Sequence, residues 1–161
     1  MKKVMLGAVV ALVGMTSLAM AQSNEIAVIV KTTSSNYWQN VHKGAQSAIG
    51  KLDGYEMSFQ GPATESAVAD EVNMVQNAIN RKVAGIVLAP SDPDALVPSV
   101  KKAYENGIPV VIVDSSLSDA GKEYYQAFLS TDNRKAGELC AQKMIEKVGK
   151  TGKIAIMSYV A

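Results

Sequence analysis

The chain alternates between short, unbroken apolar runs and longer segments whose apolar residues recur every three or four positions. IAVIV at 26–30 is the first run. Residues 37–52 follow with apolar or small side chains at 38, 41, 45, 48, 49 and 52, the spacing of one helix face. After Asp53-Gly54, YEMSF at 55–59 predicts a second strand, and 65–81 carries Val68, Val72, Val75 and Ile79 at helical spacing. AGIVLA at 84–89 predicts a third strand. Ser91-Asp92-Pro93-Asp94 then predicts a helix start, with a capping carboxylate and Pro at the first helical position. That helix ends at Asn106-Gly107, a C-terminal stop signal, before VVIV at 110–113. YYQAFLS at 124–130 predicts a fifth strand, Asp132 caps a helix running to Val148, and KIAIMSY at 153–159 predicts a sixth strand.

Strand and helix repeated in this order imply an α/β fold: a doubly wound parallel sheet with helices on both faces. The strands are continuous Val/Ile/Leu runs, as expected when both sheet faces are covered. Ligands of such sheets bind beyond the carboxyl ends of the strands, where the winding direction reverses. That rim collects Lys31 after the first strand, Tyr37 and Trp38 just beyond it, Pro90, Ser91 and Asp92 after the third, and Asp114 and Ser115 after the fourth. A cation, carboxylates, hydroxyls and two aromatics suit a small polyhydroxylated ligand. Its C–H faces can lie on a ring while carboxylates accept from its hydroxyls. Each residue also has a structural explanation. Asp92 caps a helix, Asp114 is a loop carboxylate satisfied by backbone N–H groups, and Trp38 closes the first helix against the sheet.

Composition narrows the classes without choosing among them. The chain has 161 residues, 48% hydrophobic and 19% charged, with net charge +1, an ordinary globular balance. A near-neutral charge and scattered aromatics give no support for nucleic-acid binding. The first 21 residues stand apart: MKK, an apolar run, then Ala19-Met20-Ala21. This is the layout of a secretory signal peptide cut between Ala21 and Gln22, implying export to the periplasm and no stable membrane insertion after cleavage. The alternative is an uncleaved anchor helix. The single cysteine, Cys140, falls on the apolar stripe of a predicted helix, which predicts a buried, inert thiol. His42, the only histidine, has no metal or triad partner in the sequence and is expected on the exposed side of the first helix.

Enzyme motifs fail on inspection. GKTGK at 149–153 lacks the glycine a phosphate loop requires at 144, where Met144 stands, and it joins a helix to a strand, the reverse order. Nothing builds a nucleophile with its base, and no cofactor or metal site is implied. An enzyme is therefore not the expectation.

With these elements in place, the sequence resembles the periplasmic sugar-binding proteins of the ribose-binding type, the soluble receptors of ABC importers. The resemblance covers 25–161 and rests on VIVKTTSSNYWQNVHKGA, GIVLAPSDPDAL, NGIPVVIVDSS and FLSTDNRKAG. It implies a two-lobed clamshell that closes over a monosaccharide and delivers it to an ABC permease. It places Tyr37 and Trp38 at paired aromatics that sandwich the sugar, Ser35 at a polar contact before them, and Asp114 at the carboxylate that binds sugar hydroxyls. Asp114-Ser115 stands where ribose binders have Asp-Arg, and Ala89 where they have Asn. With GPATES and Lys31, these departures look more like the branch binding rhamnose or a furanosyl autoinducer, where a Lys at this position contacts the ligand. Family members are much longer than this chain. The resemblance therefore implies a signal peptide at 1–21, a first lobe at 22–131, and only the start of a second lobe at 132–161. Such a fragment holds half a site and is expected to bind sugar weakly or not at all. Two other binding roles share the fold. One is a ligand sensor that signals to a chemoreceptor or membrane kinase, and the other is a repressor's effector domain, against which the export signal argues.

Overall fold

A computed structural model describes residues 23–149 and 151–157. The predicted signal peptide at 1–21 therefore lies outside the described residues. Five strands and four helices run in chain order: β1 (Glu25–Ile29), α1 (Asn36–Ile49), β2 (Glu56–Gln60), α2 (Val68–Asn80), β3 (Gly85–Leu88), α3 (Val97–Glu105), β4 (Val110–Val113), β5 (Ala127–Leu129) and α4 (Asn133–Val148), with a 3-10 turn at Asp119–Gly121 before β5. The strands form one parallel sheet in the order β2-β1-β3-β4-β5. The winding direction reverses between β1 and β3, so the fold is the doubly wound parallel sheet expected.

Alternation along the strands sorts the core into two layers. Ala27, Ile29, Ile86, Leu88, Val110 and Ile112 face α2 and α3, meeting Val75, Ala78, Ile79, Val100 and Ala103. Val28, Val30 and Ala89 point the other way, toward Trp38, Val41 and Ala45 of α1. Each fully buried Val, Ile or Leu contributes roughly 1.5–3 kcal/mol relative to exposure, so these central strands anchor the loops beyond their ends. The amino ends are tied separately. Glu25 takes Arg81 in a two-pronged ion pair, at 2.6 and 3.0 Å, and also accepts from Ser58.

Several expectations change. The helix predicted to open at Asp92-Pro93 begins at Val97 instead. Asp92 Oδ1 accepts from the N–H groups of Asp94 and Ala95, so it caps the preceding turn. The fifth strand shrinks to Ala127–Leu129 at the sheet edge. Residues 153–157 form no strand, and the rest of the predicted sixth strand lies outside the described residues. An extended segment holds as a strand only when a neighbour pairs its backbone, and 153–157 has none. Asp132 does cap α4, accepting from the Lys135 N–H at 2.8 Å, but α4 buries none of its residues. Cys140 is accordingly exposed, against the expectation of a buried thiol. The apolar stripe was correctly placed on the helix, but α4 does not lie on the sheet. His42 is not free on the outer face of α1 either. It stacks on Phe59 at 4.2 Å between ring centroids.

Candidate ligand-binding site

The carboxyl ends of β1 and β4 bring Lys31 and Asp114 together across 83 positions of sequence. Lys31 Nζ lies 2.8 Å from Asp114 Oδ2 and donates to Ser115 Oγ at 2.6 Å. Ser115 Oγ in turn donates to Asp114 Oδ2, and the Tyr37 hydroxyl donates to Asp114 Oδ1, each at 3.2 Å. Asp114 stands in the left-handed region, with φ 66, a conformation costly for a side chain other than glycine. Its N–H donates to Leu129 O at 2.9 Å, so β5 holds the strained residue in place. The side-chain partners of Asp114 are other side chains, not the backbone N–H groups of a self-satisfied loop.

Opposing effects set its charge. Burial pushes the Asp114 carboxyl up, but Lys31, Tyr37 and Ser115 outweigh it and leave the pKa lowered. The Tyr37 phenol is raised, first by burial and then by the adjacent Asp114 charge. The rim therefore holds a carboxylate and an ammonium at neutral pH, both half-buried and already oriented. Such a pair can accept from one ligand hydroxyl and donate to another.

The two aromatics divide the work. Tyr37 is 55% exposed, whereas Trp38 is 2% exposed and closes α1 against the sheet. Their rings meet edge-to-face at 4.8 Å and 82°. Trp38 is thus a buried support, and Tyr37 is the aromatic accessible from the rim. Ser35 caps α1, accepting from the Trp38 N–H at 3.3 Å. Its hydroxyl proton is still available as a donor.

Of three concavities that reach Asp114, two are lined by the polar rim residues. One of about 300 Å³ is lined by Lys31, Ser35, Tyr37, Trp38, Glu65 and Asp114. The other, about 430 Å³, is bounded by Ser91, Asp114, Ser115 and neighbouring loop residues. All seven residues singled out in the sequence (Lys31, Ser35, Tyr37, Trp38, Ser91, Asp114 and Ser115) line one or the other. A further cavity of about 490 Å³ lies between the C-terminal ends of α2 and α3, at the opposite end of the sheet. It offers no aromatic face and is separate from the rim.

Two carboxyls escaped the sequence reading. Glu65, from the loop after β2, accepts from Trp38 Nε1 at 3.4 Å. Glu71, on α2, is 0% exposed. Its Oε2 accepts from the Ser91 N–H at 3.0 Å. Its Oε1 and the Ser91 hydroxyl lie buried beside each other without a well-directed hydrogen bond. Burial raises the Glu71 pKa; Ser91 and the nearby Lys31 charge oppose the rise, and Asp92 adds to it. A signal for Glu71 existed: it stands four residues before Val75 on the buried face of α2. Glu65 lies within GPATES, a segment the resemblance singles out, but its residue type alone does not distinguish it from a solvated loop carboxylate.

A doubly wound sheet with a polar, aromatic-flanked rim at its switch point defines a small-molecule binding domain. The chain belongs to the periplasmic binding protein domain family, whose model matches residues 26–161. It is 30% identical to the D-allose-binding periplasmic protein of Escherichia coli, over 89% of this chain and 47% of that one. It is 27% identical to the D-ribose/D-allose-binding protein of Pseudomonas aeruginosa, over 84% and 44%. Among solved structures, an ABC transporter solute binding protein from Agrobacterium vitis with bound D-fucose shares 69% identity at a TM-score of 0.81, over 85% of this chain and 47% of that one. The chain thus spans about half the length of these relatives.

Proposed function

We infer that this sequence forms the first lobe of an exported solute-binding protein that captures a monosaccharide in the periplasm and hands it to an ABC permease. Residues 1–21 serve as the export signal, 22–131 as that lobe, and 132–161 as the start of a second. The observation that carries the reading is the Lys31–Asp114–Ser115–Tyr37 network at the switch point, in a chain 69% identical to a protein whose structure holds D-fucose. Asp114 accepts sugar hydroxyls, while Lys31 and Ser115 keep it ionised and donate. Tyr37 stacks on the C–H face of the ring, and Ser35 supplies a further donor, while the Ser91 hydroxyl is turned inward toward Glu71. The likeness in length to half of each relative supports a site that a second lobe completes. Sugar hydroxyls bind tightly only where water is excluded from both sides.

The test is Trp38 fluorescence during titration with D-fucose, D-allose, D-ribose and L-rhamnose, for this chain and for a version extended through the downstream reading frame. Any further tryptophans in the extended version would be replaced. A saturable change in the extended version, with a weak one or none in the short chain, supports the reading. A saturable response to none of the sugars in either version, confirmed by calorimetry, overturns it.

A further inference from the structure

We propose that Glu65 is a second ligand carboxylate of this site, reading a hydroxyl of the sugar and making the site selective for neutral over anionic sugars. The proposal rests on the sugar-binding reading above and adds a residue and a selection rule to it.

Polar capacity in the smaller concavity is unevenly used. Lys31 is committed to Asp114 and Ser115, the Tyr37 hydroxyl donates to Asp114, and the Ser35 oxygen caps α1. Asp114 already takes Lys31 and Ser115 on one oxygen and Tyr37 on the other. Glu65 lines the same space with a single long contact, from Trp38 Nε1 at 3.4 Å on Oε1. An ionised carboxylate offers about four acceptor positions, so Glu65 holds the largest unused accepting capacity on the rim. The contact with Trp38 also orients it. The indole is buried in the core, and its N–H engages Oε1 and leaves Oε2 free.

Charge points the same way. The ammonium of Lys31 is matched at 2.8 Å by Asp114. Among the described residues Glu65 forms no ion pair. The concavity therefore has surplus negative charge, which attracts hydroxyl protons and repels a uronate or a sugar phosphate.

The experiment is calorimetric titration of the version extended through the downstream reading frame and of its Glu65→Gln and Glu65→Ala variants. The probe is whichever of D-fucose, D-allose and L-rhamnose the unmodified protein binds most tightly, with D-galacturonate as the anionic competitor. Thermal unfolding establishes that each variant is folded. Gln keeps the size and an acceptor for Trp38 while removing the charge. Glu65→Gln is expected to weaken the neutral sugar about tenfold or more, the scale of a lost hydrogen bond to a charged group. It is also expected to narrow the preference over D-galacturonate by a similar factor, and Glu65→Ala to weaken binding at least as much. Affinities within twofold of the unmodified protein, with the preference unchanged, overturn the role of Glu65 and leave the sugar-binding reading intact. If the unmodified extended protein binds none of the neutral sugars, the functional reading fails, and the role of Glu65 with it.

Discussion

Removing Lys31 isolates the interaction that organises the rim. In Lys31→Met the aliphatic stem is kept and the ammonium lost, leaving Asp114 with only Tyr37 and Ser115 as donors. The two charged side chains are 16% and 30% exposed, so the pair belongs between the surface and buried extremes. Exposed pairs contribute ~0.2–1 kcal/mol, and breaking a buried one costs ~3–5 kcal/mol. With nearly a third of Asp114 wet, discounting toward the exposed end gives a cost of about 1–2 kcal/mol for Lys31→Met. Asp114→Asn should cost about the same, because it strands the ammonium beside Ser115. The double variant should lose less than the sum, with a coupling energy of about 1 kcal/mol. Urea unfolding of the four proteins at pH 7 and low ionic strength measures it. The pH dependence has a definite sign. The folded pKa of Asp114 is lowered, so the stabilisation is present above the unfolded value near 3.8 and is lost as pH falls through the lower, folded one. The gap between the unmodified protein and Lys31→Met should close only in that acidic window. A coupling below ~0.3 kcal/mol, or a gap that closes already at pH 5–6, would refute the reasoning.

Glu71 should behave oppositely. Its pKa is raised, so its contribution favours the folded state increasingly as pH falls from the folded value toward 4.5. Glu71→Gln should flatten that slope and be neutral or stabilising at pH 7, while Glu71→Leu should cost about 1–3 kcal/mol by orphaning the Ser91 N–H; a stability-versus-pH series decides. Gly61→Ala would place a Cβ 2.7 Å from Val30 O. The atoms it would meet are backbone and cannot swing aside, so a loss of about 1–3 kcal/mol in urea unfolding is expected, and an unchanged midpoint would contradict the packing. Cys140, exposed on α4, should react with a thiol reagent in the native chain within about tenfold of the rate for a free cysteine. Strong protection would show that α4 is covered in solution.

Much of the fold was legible because its signals are local. Unbroken runs such as IAVIV and VVIV, short and bounded by turn signals, read as strands covered on both faces, and Asn106-Gly107 or Asp132 punctuate helices through their own backbone chemistry. With the strands parallel, the residues after their carboxyl ends had to share one rim, so Lys31, Ser91 and Asp114 could be named together without coordinates. Pro93 misled because Asp92 caps a turn as readily as a helix, and nothing in the four residues distinguishes the two.

Pairing across the sheet was decided only in three dimensions. Sequence placed Tyr37 and Trp38 side by side, but one became the exposed wall and the other a buried support, because adjacent helical positions point about 100° apart and only one direction meets β1 and β3. Sequence offered Asp114 as a carboxylate of unknown partners, and strand order delivered Lys31 to it from 83 positions away. Glu65 and Glu71 gained their meaning the same way, from an indole and a loop that reach them through the fold. The stripe on α4 is the converse case: its pattern is local and correct, but whether a stripe is buried depends on what covers it, and none of the residues of α4 is buried.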